Sequence, residues 1–206
     1  MNILAIGAHP DDIEYGCGGT LIKMVKEKNA NIYFFVATHG EFGGEAELRI
    51  KEQERAAEML GVKEIYWGGF MDTKLSVCRE LIGKIEEAID ACDPHVILVN
   101  FPDDIHQDHR YLAESTIIAS RYNRKVMFYE GYTSRNYEPH LFVDVKDVLE
   151  DKVKLLKCHK SQVDREYPTS LDMVESTKAV ANFRGFQAKV KYAEGFSALR
   201  YLLDAV

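Results

Sequence analysis

The sequence predicts an α/β fold: a Rossmann-like three-layer sandwich around a mostly parallel sheet, with strand order 3-2-1-4-5 plus C-terminal additions. Three observations predict it. Short apolar runs, such as Ile3 to Ile6 and Val96 to Val99, are too brief for helices and read as buried strands. They alternate with longer segments whose apolar residues recur at helical spacing, the pattern of a parallel sheet covered on both faces. The loops after the first and fourth runs each combine His with Asp. In the order 3-2-1-4-5 those two strands are neighbours at the point where the chain reverses direction, which is where such sheets bind ligands.

Taken in order, Asn2 to Ala8 is the first strand. Pro10 cannot continue a strand ladder, so His9, Asp11 and Asp12 fall on the loop that follows. Gly16-Cys17-Gly18-Gly19 reads as a sharp turn, with a first helix over Gly18 to Lys28 carrying Leu21, Ile22 and Val25 on one face. These glycines do not form G-x-G-x-x-G, so a dinucleotide site is weakly indicated. Asn31 to Thr38 is the second strand, and His39 to Gly44 is a flexible edge loop. Glu45 to Leu60 is the second helix, apolar at Leu48, Ala56, Met59 and Leu60 and stopped by Gly61. Arg49 lies in its first turns, near the same sheet edge.

Glu64 to Trp67 is a short third strand, with Gly68 to Asp72 as its edge loop. Leu75 to Cys92 is the third helix, with Cys78, Leu81, Ile82, Ile85 and Ile89 at helical spacing, closed by Pro94. The fourth run, His95 to Val99, leads through Pro102-Asp103-Asp104 to His106-Gln107-Asp108-His109. Gln107 to Tyr122 is the fourth helix and Lys125 to Tyr129 the fifth strand. Residues 130–139 are polar and aromatic without a clear period. Leu141 to Val145 reads as a sixth strand. Asp147 and Glu150 have capping-box spacing and open a fifth helix with Leu149, Val153 and Leu156 on one face. Leu171 to Phe183 is a last long helix stopped at Gly185, and Tyr192 to Phe196 is a final strand or extended segment. With no internal repeat or linker, residues 1–206 read as one domain.

Composition narrows the function. The net charge of −7 and the lack of a Lys/Arg-rich block argue against a nucleic-acid binder, but not against an anionic small molecule. Asn2 follows Met1 with no basic region, and Asp11 and Asp12 interrupt the apolar residues, so no signal peptide is expected. No run is long enough to span a membrane. The cysteines, Cys17, Cys78, Cys92 and Cys158, have no CxxC spacing, which suits a reducing, cytoplasmic setting. Cys17, near the first His/Asp loop, is either a ligand or nucleophile or, the reading preferred, a small packed residue.

The chemistry concentrates in the two His/Asp loops. If Gln107 opens a helix, His106 and His109 are three apart and share a face. Two His and one Asp make a catalytic zinc set with an open fourth position. An iron(II) oxygenase uses the same kinds of ligand, and a non-catalytic metal-bearing sugar-binding module is a further alternative. Oxygenase ligands usually come from β-rich scaffolds, and a non-catalytic module need not retain two extra ionisable groups beside its ligands.

AHPDD (residues 8–12), GCGGTL (16–21) and PDDIHQDH (102–109) together resemble the LmbE-like, or PIG-L-like, zinc-dependent N-deacetylases. Further similarities are the Gly-Glu before the second helix, Arg49 with Glu52, Leu60-Gly61, His159-Lys160-Ser161-Gln162 and Tyr192 to Phe196. His39 departs from the small or apolar residue expected there. The resemblance implies His9, Asp12 and His109 as ligands of one zinc ion. It implies Asp11 as general base, His106 as electrophilic or acid partner and Asp108 as the residue orienting His106. Arg49 would contact substrate, and Asp104 would support the second motif. It also implies removal of acetyl from a small N-acetylglucosaminyl compound (a glycoside of malate or inositol type, or a short chitin oligomer), often by a homo-oligomer.

Overall fold

The computed structural model describes residues 1–203. Seven strands form one sheet: β1 (Asn2–Gly7), β2 (Asn31–Thr38), β3 (Glu64–Phe70), β4 (Val96–Asn100), β5 (Lys125–Tyr129), β6 (Leu141–Asp144) and β7 (Ala193–Tyr201). Their order is β3-β2-β1-β4-β5-β7-β6. The pairs from β3 to β5 are parallel, with Ile3 opposite Val96 and Ile6 opposite Val99 across the switch point. The C-terminal addition is antiparallel: β7 slots between β5 and β6.

The helices are α1 (Asp12–Lys28), α2 (Ala46–Leu60), α3 (Arg79–Cys92), α4 (Gln107–Ala119), α5 (Leu149–Leu156), the short α6 (Lys160–Val163) and α7 (Met173–Ala188). Two cores lie on opposite faces of the sheet. Ile3 and Ala5 of β1 face one way and pack with Leu21 of α1, Leu60 of α2 and Leu155 of α5. Leu4 and Ile6 face the other way and pack with Leu81 and Ile85 of α3 and Leu112 of α4. Both faces of β1 are therefore covered, which is why its sequence is continuously apolar rather than alternating.

Several boundaries differ from the sequence reading. The first helix starts at Asp12 rather than Gly18, so the Gly16–Gly19 segment is helical and not a turn. Its glycines serve close packing: a Cβ at Gly16 would lie 2.1 Å from Cδ2 of buried Tyr129. The third strand continues to Phe70, and the third helix begins at Arg79 rather than Leu75; Thr73 is in the left-handed region (φ 62°), and the backbone N–H groups of Thr73 and Leu75 go to the Asp108 carboxylate. The capping box is out of register. Val148 occupies the cap position of α5 with its N–H bonded to Val145, and Asp147 makes no cap bond. The last helix runs past Gly185 to Ala188 and closes on Lys189 in the left-handed region (φ 63°). Leu48 and Met59 of α2 are exposed, while Arg49, Glu52 and Gln53 are buried with Ala56, Ala57 and Leu60. Among the described residues, no helix is long and apolar enough to cross a membrane.

Candidate active site

The site assembles at the carboxyl edge of the sheet, where the loops after β1 and β4 meet. Asp12 is the first residue of α1, and its Oδ2 accepts from the N–H groups of Ala8 and His9, both at 3.0 Å. That fixes the carboxylate against the strand end. Its Oδ1 lies 3.2 Å from His109 Nε2, and its Oδ2 lies 3.5 Å from His9 Nδ1. Asp12 thus stands between the two histidines, from two different loops. Burial disfavours its charged form, but His109 and His9 outweigh that and hold its pKa well below the usual carboxylate range.

His109, one turn into α4, is buried. Its Nδ1 lies 3.2 Å from Asp104 Oδ1, but neither ring nitrogen makes an aligned hydrogen bond. Burial opposes protonation of His109; Asp12 and Asp104 overcome it and raise its pKa to about 9. Burial also opposes protonation of His9, and Asp108, Asp12 and Asp72 raise its pKa well above the ordinary value. A buried imidazole set between two carboxylates, Asp12 on Nε2 and Asp104 on Nδ1, has the surroundings in which a histidine can ligate a metal with its far side held by an acid. The donor types of His9, Asp12 and His109 (two ring nitrogens and a carboxylate oxygen) suit zinc. The ring nitrogens of His9, His106 and His109 also converge, as do His9, Asp72 and Asp108.

Asp11 occupies the cap position of α1 but makes no cap hydrogen bond. Its φ is 100°, a left-handed conformation that costs a non-glycine residue roughly 1–3 kcal/mol. Arg49 holds it there: one guanidinium nitrogen donates to Pro10 O at 2.7 Å and to Asp11 Oδ2 at 3.2 Å. The other donates to Gly40 O at 2.7 Å. Gly40 has φ 69°, and a Cβ there would lie 2.1 Å from this guanidinium. Burial pushes the Asp11 carboxyl up to about 6, against the pull of Arg49.

His106 caps α4. Its Nδ1 accepts from the Asp108 N–H at 3.3 Å, which leaves Nε2 as the donor. Burial, then the charges of His9 and His109, lower its pKa, which favours the neutral ring. Asp108 therefore orients His106 through its main chain. Its carboxylate accepts from Thr73 N–H at 2.7 Å and lies 3.4 Å from His9 Nε2.

Two participants were missed in the sequence. Asp72 lies 3.0 Å from His9 Nε2 and accepts from Phe42 N–H at 3.0 Å, linking two edge loops. A buried acid at the end of an edge loop was the available signal. The 130–139 segment pins the second motif: Thr133 O accepts from Ile105 N–H at 3.0 Å, and Ser134 Oγ donates to Asp104 at 3.0 Å. His39 packs edge-on against Trp67, ring centroids 5.1 Å apart. Cys17 is buried inside α1, donating to Ile13 O, as a packed residue would be. A cavity of about 240 Å³ opens over His9, Asp11, Arg49, Asp72 and His106.

Comparison with known proteins agrees with this geometry. Residues 4–120, more than half of the chain, match the family described as PIG-L, GlcNAc-PI de-N-acetylase. A diacetylchitobiose deacetylase from Thermococcus kodakarensis is 31% identical, over 94% of this chain and 81% of the relative. A probable N-acetyl-alpha-D-glucosaminyl L-malate deacetylase from Bacillus anthracis is 26% identical, over 78% and 81%. The structure of N,N′-diacetylchitobiose deacetylase from Pyrococcus horikoshii superposes with TM-score 0.84 at 27% identity, covering 96% of this chain and 83% of that one. The 4-carboxy-2-hydroxymuconate hydratase of Pseudomonas putida superposes with TM-score 0.85 at 19% identity, over 100% and 98% of the chains, a likeness of fold alone. The chain belongs to the PIG-L (LmbE-like) family, whose relatives here include N-acetyl-sugar deacetylases.

Proposed function

We propose that this PIG-L family member hydrolyses the N-acetyl group of a small N-acetylglucosaminyl compound, with one zinc ion held by His9, Asp12 and His109. The observation that carries this reading is Asp12 set between His9 Nδ1 and His109 Nε2, with His109 buried and backed by Asp104. When bound, the metal would activate water and polarise the amide carbonyl.

The chain's own groups supply the rest. Asp11, adjacent in sequence to a ligand, takes a proton from the attacking water; a carboxyl pushed up to about 6 is well matched to a base working near neutrality. Arg49 keeps that carboxylate in place, so its role in substrate binding is indirect through Asp11 as well as through the cavity it lines. The Nε2–H of neutral His106 donates to the oxyanion as the carbonyl carbon becomes tetrahedral. As the C–N bond breaks, the proton held by Asp11 passes to the leaving nitrogen, giving acetate and the free amine. Asp104 sits behind His109, and Asp108 and Asp72 sit behind His9.

The test is acetate release by zinc-loaded protein from a panel of N-acetylglucosaminyl compounds. Release from at least one, lost on chelation and restored by zinc, supports the reading. A chelator-insensitive activity, or none across the panel, overturns it.

A further inference from the structure

A second cavity, also about 240 Å³, adjoins the first and shares Tyr132 and Tyr167 with it. Its remaining walls are Tyr15, Leu171, Asp172, Met173 and Ser176. Tyr15 lies three residues beyond Asp12 on α1, about 4.5 Å further along the helix axis. A ligand whose acetamide reaches the His9–Asp12–His109 group extends naturally into this second cavity.

The cleft has a definite chemical character. The ring of Tyr132, half exposed, meets that of Tyr15 edge-to-face with centroids 5.3 Å apart. The Tyr15 hydroxyl is paired with Ser176 Oγ at 2.7 Å, and the Tyr167 hydroxyl faces Met173 Sδ at 3.8 Å. With both hydroxyls engaged, the walls present ring faces, a thioether and Leu171. The one charged wall residue, Asp172, is anionic, and its Oδ1 is committed to capping α7 through Val174 and Glu175 N–H. Among the described residues that line this cleft there is no cation; Lys152 lies over Tyr15, 6.0 Å from its centroid, and donates to Glu194 at 2.6 Å. Arg165 lies over the outer part of Tyr167, 5.6 Å from its centroid, but lines the first cavity and donates to Gly43 O at 3.0 Å.

We infer that the cleft of Tyr15, Tyr132 and Tyr167 is the subsite for the group attached to the N-acetylated sugar, and that this group is a neutral sugar ring rather than an anion. A pyranose presents a face of C–H groups that covers an aromatic ring, with hydroxyls left at the rim. An acidic group placed there would meet apolar rings and a carboxylate, with the two nearby cations, Arg165 and Lys152, already committed to Gly43 O and Glu194. The inference rests on the deacetylase reading for what reaches the first cavity, but concerns its neighbour.

The experiment is calorimetric titration of metal-free protein with N-acetylglucosamine, with N,N′-diacetylchitobiose and with N-acetylglucosaminyl malate, alongside acetate release by the zinc-loaded protein. The wild type is expected to bind the disaccharide about tenfold more tightly than the monosaccharide, the scale of one aromatic contact. Tyr132→Ala should collapse that ratio towards one, and Tyr132→Phe should keep it. Because Tyr132 is half exposed, neither variant threatens folding. The inference is overturned if Tyr132→Ala leaves the ratio intact, or if the malate glycoside binds better than the disaccharide. A wild type that shows the expected ratio but releases no acetate from any probe leaves the subsite standing and ends the deacetylase reading instead.

Discussion

Asp11 sits where a helix cap ordinarily would and does not cap; its carboxylate is turned to Arg49 and held in a left-handed backbone conformation. Strain of this kind at the edge of a cavity, away from a helix C-cap, points to a working residue. Asp11→Ala should therefore retain zinc by metal analysis and lose roughly 10²–10⁴-fold in kcat, the usual size of an acid–base contribution. Full activity in that variant would refute the assignment. His106→Ala removes an oxyanion donor and should cost about 10²–10³-fold in kcat, again with metal retained. Arg49→Ala frees Asp11 and leaves Gly40 O and Pro10 O without their donor. It should lower kcat/KM without loss of zinc, and Arg49→Lys should rescue only partly, because an ammonium cannot reach three acceptors with the same fork. Equal activity of the Lys variant and the wild type would show that the fork geometry is not needed.

At the scale of elements, α1 does most of the positioning. It carries Asp12 at its first residue, Tyr15 beneath the second cavity and Gly16 against Tyr129. The Tyr129 hydroxyl donates to Ile6 O at 2.8 Å and Asn100 Oδ1 at 3.1 Å, so the ring cannot retreat. Gly16→Ala should destabilise by ~1–3 kcal/mol, the usual cost of overpacking. For a chain of this length that lowers Tm by roughly 2–4 °C per kcal/mol in a thermal melt. An unchanged Tm would mean that α1 does not pack on Tyr129 as described. The inner face of α2 is equally specific: Glu52 accepts from Ser161 N–H and Oγ–H, and Gln53 donates to Glu14 at 2.6 Å. This polar stripe ties α6 and α1 behind the site.

For the whole molecule, the proposed ligands His9, Asp12 and His109 come from loops on both sides of the switch point, so metal binding should be linked to folding. Zinc at about 100 times its Kd should add roughly 2.7 kcal/mol of stability, visible as a higher Tm. His109→Ala should abolish both the shift and stoichiometric zinc. A zinc-induced shift that survives His109→Ala would place the ion elsewhere, with the second convergent group of His9, Asp72 and Asp108 as the next candidate.

The sequence by itself determined the layering, the strand order through the fifth strand and the two His/Asp loops that meet at the sheet edge. Those follow from local periodicity, from breakers such as Pro10, and from the rule that ligands gather where the chain reverses. The meeting of the two His/Asp loops in one crevice followed from the same topology, while the choice of His9, Asp12 and His109 came from the family resemblance. Only the tertiary structure decided where α1 begins, because Gly16 looks like a turn until Tyr129 is seen against it. Only it buried Arg49, Glu52 and Gln53 while exposing Leu48 and Met59, since a buried polar face is stable only when its partners, 38 to 109 residues away, are in place. It also placed β7 between β5 and β6, set Asp72 against His9 and brought 130–139 onto the second motif. Each of these is a contact between segments distant in sequence, where no local spacing records which partner will arrive.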